Sequence, residues 1–202
     1  MTWQERILDD GTNREHWLIS RRPAIGASDA KHLAKMSSVH LYLADKLKRD
    51  SFHGNAYTES GNRWEPMMLA WAGLPQNKAF IHSPAEVGFA ATPDGITLNG
   101  NHLAECKAKH MRIVFGPDLG EWRQIAWQFQ AVPEADELTW IWAELDAGGE
   151  LRADLHGEPK SLTIKRGDPK VQKLLGQILP IAHELLPRLR AALEFERELQ
   201  AS

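Results

Sequence analysis

Along the first 75 residues the apolar positions recur at helical spacing. The stretch His16–Ile19 predicts a helix that ends near Arg21-Arg22-Pro23, because proline drives the residue before it out of the helical region. A second helix is predicted to start in Gly26-Ala27-Ser28-Asp29, with Ser28 as its cap, and to run through Leu33 toward Met36. Leu41, Leu43 and Leu47 mark a third, closing in the charged group Lys46, Lys48, Arg49 and Asp50. Residues 51–60, with Gly54, Asn55 and Ser60, read as a loop. A helix carrying Trp64, Met67, Met68, Leu69 and Trp71 follows and stops at Gly73-Leu74-Pro75.

From Ala79 the period becomes extended. Val87–Ala91 is a short apolar run, and Ile96–Leu98 and Leu103–Ala108 flank Asn99-Gly100, a strong hairpin signal. A helix around Glu121–Val132 leads to a strand, Leu138–Leu145, which Gly148-Gly149 turns into Leu151–Leu155, with a further strand at Leu162–Ile164. From Asp168 the chain is helical, with Pro180 and Pro187 expected to kink or divide it. Helices first, a small sheet with an embedded helix next and terminal helices last predict an α/β (α+β) fold, a central mixed sheet flanked by helices. With 202 residues and no linker, one domain over 1–202 is expected.

Composition narrows the class. A 43% hydrophobic and 25% charged chain is that of an ordinary globular protein, without a span for a membrane or the apolar core of a secretory signal, so a cytoplasmic protein with no membrane partner is expected. The single cysteine, Cys106, excludes an internal disulfide and a cysteine-based zinc cage. The net charge of −3 announces no nucleic-acid partner, but its distribution is uneven. Residues 1–63 hold 10 basic and 8 acidic groups, 116–158 hold 2 and 10, and 159–190 hold 7 and 2. A phosphate-binding surface would therefore draw on the first and last thirds.

The candidate chemistry lies in the hairpin. If Asn99 and Gly100 are the central turn residues, Leu98 pairs with Asn101 and Asp94 falls opposite Glu105. Paired side chains project from one face with Cβ atoms about 4.5–5.5 Å apart, close enough for two carboxylates to share an ion. The two-residue period adds Lys107 to that face and turns Ala104, Cys106 and Ala108 into the core. Hard oxygen ligands of this kind suit Mg²⁺, which is held by one or two carboxylates plus substrate phosphate. A lysine beside them orients or activates water, or stabilises charge developing on phosphorus. The combination points to a phosphodiester hydrolase.

Pro93-Asp94 followed by Glu105-Cys106-Lys107 resembles the PD-(D/E)xK nuclease pattern, and the surroundings resemble the phage lambda-type exonucleases, or YqaJ-like viral recombinases. Trp17, Arg21, Ile25-Gly26-Ala27-Ser28, Gly61 with Glu65, Thr92-Pro93-Asp94-Gly95, Glu105-Cys106-Lys107 and Gln128-Phe129-Gln130 follow in family order. The resemblance implies a restriction-endonuclease-like core and a Mg²⁺-dependent 5′–3′ exodeoxyribonuclease, with two ions or Mn²⁺ as variants. Such an enzyme acts on linear double-stranded DNA ends, releases 5′-mononucleotides and leaves a 3′ overhang for phage-type recombination. It further implies a homotrimer and a single-strand annealing protein as partners. A structure-specific or restriction-type endonuclease and a catalytically silent DNA-end-binding scaffold are the rival readings.

Carried over residue by residue, the resemblance makes Asp94, Glu105 and the Cys106 backbone carbonyl metal ligands. Lys107, Gln128 and Glu65 become catalytic, and Arg21, Ser28 and Thr92 become holders of a 5′-phosphate. Alternatives stand beside several of these. Asn62 and Glu65 have the spacing of a capping box, Ser28 has that of a plain N-cap, and Gln124 and Gln130 compete with Gln128. Arg22 competes with Arg21, although the seven-residue interval to Ser28 favours Arg21. Trp17 is either packing or part of the phosphate pocket, Trp64, Trp71, Trp122 and Trp127 read as packing, and His110 reads as a surface residue.

Overall fold

The central layer is a four-stranded mixed sheet in the order β4 (Gly95–Ile96), β5 (His102–His110), β6 (Glu137–Leu145), β7 (Lys160–Lys165). The structure, a computed structural model, describes residues 1–48, 56–152 and 157–201. Strands β5 and β6 are parallel and the outer pairs antiparallel. Parallel neighbours require a crossover, and helix α5 (Leu119–Ala131) supplies it. A second, three-stranded antiparallel sheet, β1 (Ile7–Asp9), β2 (Phe80–His82) and β3 (Ala90–Ala91), lies beside it. The remaining helices are α1 (Arg14–Arg21), α2 (Ala27–Ala30), α3 (Val39–Lys48), α4 (Ala56–Trp71) and α6 (Pro169–Ala201).

Strand alternation divides the core between the two faces of the sheet. Leu103, Leu138, Trp140 and Trp142 pack with α5 and α6, whereas Ala104, Cys106, Ile141 and Ala143 pack with Trp64, Met68 and Leu69 of α4. Ala104 and Cys106 thus lie beneath the helix on the side the sequence period assigns them. The small sheet is tied to α5 by Trp127, whose indole N–H donates to the Ala90 carbonyl at 3.0 Å. Ile25 makes a parallel bridge to Phe89, which sets the segment carrying Arg21 and Ser28 beside that sheet.

Four local expectations change. Helix α2 ends at Ala30 rather than near Met36, and its N-cap is Gly26, so Ser28 lies inside the first turn. Residues 56–60 belong to α4 rather than to a loop, while 51–55 lie outside the described residues. Pro66 sits within α4, where it removes the donor that would serve the Asn62 carbonyl, and Asn62 and Glu65 are mid-helix rather than a capping box. Pro180 and Pro187 do not divide the last helix, since α6 runs through both. Leu151 makes a single bridge to Leu145, and part of the strand expected at Leu151–Leu155 falls outside the described residues.

Candidate active site

The hairpin register places the chemistry. Gly95 pairs with Ala104 and Ile96 with Leu103, so Asp94 falls opposite Glu105 as the sequence predicts. The turn itself is different. Gly100 N–H closes a turn on the Thr97 carbonyl at 2.8 Å, and Thr97 N–H bonds to the His102 carbonyl at 3.0 Å, leaving Leu98–Asn101 as a four-residue loop. Gly100 takes a left-handed φ of 76°. The loop takes one more residue from each strand than a two-residue turn does, and a symmetric change leaves the register intact.

The Asp94 backbone is clamped from the side. Its carbonyl accepts the Asn77 N–H at 2.8 Å, its N–H donates to the Ala104 carbonyl at 3.0 Å, and the Asn77 amide holds the Pro93 carbonyl at 2.8 Å. Gly95 is required by close approach, since a Cβ there would lie 2.9 Å from both Leu69 Cδ2 and the Pro75 carbonyl. The Asp94 carboxylate accepts the Cys106 backbone N–H at 2.6 Å. In a strand the N–H and C=O of one residue face the same neighbour, so the Cys106 carbonyl faces that same sheet edge.

Glu105 is the centre of the site. It is 2% exposed. One carboxylate oxygen accepts from Lys107 Nζ and Gln124 Nε2, and the other accepts from Gln128 Nε2. Gln124 and Gln128, one turn apart on α5, therefore both reach the carboxylate. The buried Gln128 Oε1 has no hydrogen-bond partner. Farther along the same face, Lys109 pairs with Glu121, whose other oxygen takes the Asp118 N–H and so fixes the start of α5. Glu65 approaches from α4 and accepts from Gln76 Nε2 at 3.0 Å.

Electrostatics bind these groups together. Burial, with Glu105 and Glu65 alongside, holds the Asp94 carboxyl well above the usual carboxylate range, against Lys107 and the Cys106 N–H. Glu65 is raised by burial and by Glu105, opposed by Gln76 and Lys107. Burial favours the neutral form of Lys107, but Glu105 and Asp94 outweigh it and raise its pKa. Burial and the three carboxylates push up the Cys106 thiol, leaving it inert.

Two clefts open on the cluster. One, of about 560 Å³, is lined by Glu65, Asp94, Thr92, Trp17 and Arg14; the other, of about 690 Å³, by Lys107, Gln124, Arg21, Ser28 and Arg14. The predicted phosphate residues are therefore divided: Arg21 donates to Ser28 Oγ at 2.6 Å in the second cleft, while Thr92 lines the first. Asp29 takes the Gly26 N–H at 2.8 Å and pairs with Lys46 at 2.7 Å, supporting the loop below. Both the Arg14 and Arg21 guanidinium groups lie over the Trp17 ring, at 4.6 and 4.3 Å from its centroid. Trp64, Trp122 and Trp127 are buried packing residues, as read, whereas Trp71 is exposed. His110 lines a separate cleft with Ser60 and Asp146. Arg14 escaped the sequence reading, although its spacing of three and seven residues from Trp17 and Arg21 places all three on one helix face.

No protein-family model matches the chain and no curated protein matches it by sequence. Solved structures do. An alkaline exonuclease, LHK-Exo from Laribacter hongkongensis, aligns with a TM-score of 0.63 at 17% identity, covering 92% of this chain and 99% of that one. Its complex with dAMP aligns at 0.60 and 19% identity over the same shares. A phage-related exonuclease from Haemophilus somnus 129PT aligns at 0.54 and 13% identity, covering 94% and 93%. The chain has the fold of these exonucleases. The likeness to lambda-type exonucleases carried by the motif order thus holds at the level of fold, across nearly the whole chain. Within that exonuclease fold, Asp94, Glu105 and Lys107 are gathered at one hairpin.

Proposed function

We propose that this protein is a divalent-metal-dependent exodeoxyribonuclease that degrades the 5′-terminated strand of linear double-stranded DNA. The observation that carries the reading is the convergence of Asp94, Glu105 and Lys107 at the hairpin. With Glu65 included, three carboxyl groups stand beside one ammonium, and a divalent cation would draw the raised Asp94 and Glu65 carboxyls into their ionised form. A small set of oxygen donors of this kind is what Mg²⁺ takes, since it keeps several waters and phosphate oxygens. Asp94, Glu105 and the Cys106 carbonyl would hold it, with Glu65 available to a second ion, and Mn²⁺ has the same oxygen preference.

A bound ion of this kind would polarise the scissile phosphate and neutralise charge developing on it. The chain's own residues do the rest. Lys107, as an ammonium, donates a hydrogen bond to the attacking water and adds positive charge beside the phosphate. Gln124 and Gln128 fix the Glu105 carboxylate and keep it from turning toward the substrate. Attack of the water on phosphorus forms the new P–O bond and breaks the bond to the 3′ oxygen of the departing nucleotide. The proton the water loses passes to solvent and the 3′ oxygen takes one from solvent, releasing a 5′-mononucleotide and leaving a new 5′-phosphate on the strand. Arg21 and Ser28 would receive that phosphate in a cleft whose wall also carries Arg22, Lys31 and Lys46, with Asp29 as the one acid. Thr92 would meet the strand from the neighbouring cleft.

End-labelled duplexes test the reading. The expected result is stepwise loss of nucleotides from 5′-phosphorylated ends, with slower use of 5′-hydroxyl ends and no attack on a covalently closed plasmid. Nicking of the closed plasmid would make the protein an endonuclease, and DNA binding without any cleavage would make it a scaffold.

A further inference from the structure

Arg14 stands where the two clefts meet. It is the first residue of α1, whose start is fixed by the Asn13 side chain accepting the Glu15 and His16 N–H groups. It lines both clefts, the one holding Asp94 and Glu65 and the one holding Lys107 and Gln124. The reacting groups therefore face a saddle, and Arg14 sits on its rim. Its side chain is exposed and its guanidinium lies over Trp17. Many of the chain's arginines are neutralised in ion pairs, Arg6 by Glu134, Arg22 by Glu196, Arg63 by Glu150 and Arg190 by Glu86. Among the described residues no carboxylate pairs with Arg14. A planar cation held on an aromatic face, with no carboxylate paired to it and two open clefts on either side, is built to meet an anion.

We propose that Arg14 is a substrate-positioning residue that binds the DNA phosphate adjoining the one being cut, clamping the strand as it crosses from one cleft to the other. This rests on the nuclease reading above. A strand laid across the saddle places one phosphate over Asp94, Glu105 and Lys107, and its neighbour falls within reach of the rim. Arg14 touches none of the carboxylates, so it contributes to binding the strand rather than to the chemical step. Its role also differs from that of Arg21, whose guanidinium is engaged with the Ser28 hydroxyl inside the second cleft.

Arg14→Gln and Arg14→Lys test this, because the side chain is exposed and the contact they alter is its stacking on Trp17. KM for a 5′-phosphorylated duplex should rise about tenfold in Arg14→Gln with kcat within about twofold, and Arg14→Lys should recover part of the loss. In chelator, where cleavage is stopped, the salt dependence of binding should weaken by the 0.7–0.9 expected, roughly, for one lost phosphate contact. The preference for 5′-phosphate over 5′-hydroxyl ends should not change. An unchanged KM and salt slope would overturn the proposal, as would a loss confined to phosphorylated ends, which would assign Arg14 to the end pocket instead. If the wild-type protein digests no DNA, the nuclease reading falls, and the salt slopes in chelator still decide whether Arg14 grips a phosphate.

Discussion

The carboxylate of Asp94 takes the backbone N–H of Cys106 at 2.6 Å, so the start of one short strand is tied to the middle of the next by the same side chain that lines the cleft of Glu65 and Thr92. Strand register and site geometry are therefore one property. A slip of one residue would send Glu105 and Lys107 into the apolar space under α4.

The tightest point of that arrangement is Gly95. Gly95→Ala would drive a methyl group into Leu69, the Pro75 carbonyl and Ala104, all within 3.0 Å. The expected cost is about 1–3 kcal/mol, roughly 2–4 °C of Tm per kcal/mol at this chain length. Activity should fall further than stability alone explains, because Asp94 is displaced; comparing Tm with kcat at a temperature where the variant is fully folded checks this.

Gln124 and Gln128 act on one carboxylate, so their substitutions should not add. Gln124→Leu and Gln128→Leu are each expected to lower kcat by about tenfold or more, with the double variant little worse than the poorer single one. Fully additive losses in a double-mutant cycle would show that the two amides serve separate purposes.

The fold's legibility followed the reach of local rules. Asp94 and Glu105 could be set opposite one another because strand alternation and a hairpin signal are short-range, and the register survived a wrong turn type because the loop grew symmetrically. The start of α4 was hidden by Gly61, Asn62 and Pro66, all poor helix formers, overridden by the burial of Trp64, Met68 and Leu69 against the sheet. Strands β1 and β3, three and two residues long, are too short to show a period. Helix α2 stops early because tertiary contacts, among them the Asp29–Lys46 pair, hold the loop around it. The separation of Thr92 from Arg21 and Ser28, and the place of Arg14 between them, depend on how α1 lies on the small sheet, which no local pattern encodes.

That loop carries a pH signature. Burial alone would raise the Asp29 pKa, but the charges of Lys46 and Arg21 outweigh it and hold the carboxyl below its usual range. A depressed folded-state pKa gives stability that is present above the unfolded value, about 3.9, and is lost as pH falls through the folded one. Asp29→Asn, which removes the carboxylate that faces Lys46 and Arg21, should cost about 1–3 kcal/mol at pH 7. The gap between variant and wild type should narrow below about pH 4. Urea midpoints at pH 7 and pH 3 check the sign; an equal gap at both would mean that the pair contributes nothing through its charge.

The central claim is that Asp94, Glu105 and Lys107 together cut DNA with a divalent ion. The most direct measurement is nucleotide release from a linear duplex by wild type and Lys107→Ala, each with Mg²⁺ and with chelator. The account predicts release by wild type with Mg²⁺ alone, at least about 100-fold less by Lys107→Ala, and equal DNA binding by both proteins in chelator. Undiminished digestion in chelator, or by a folded Lys107→Ala protein, would contradict it.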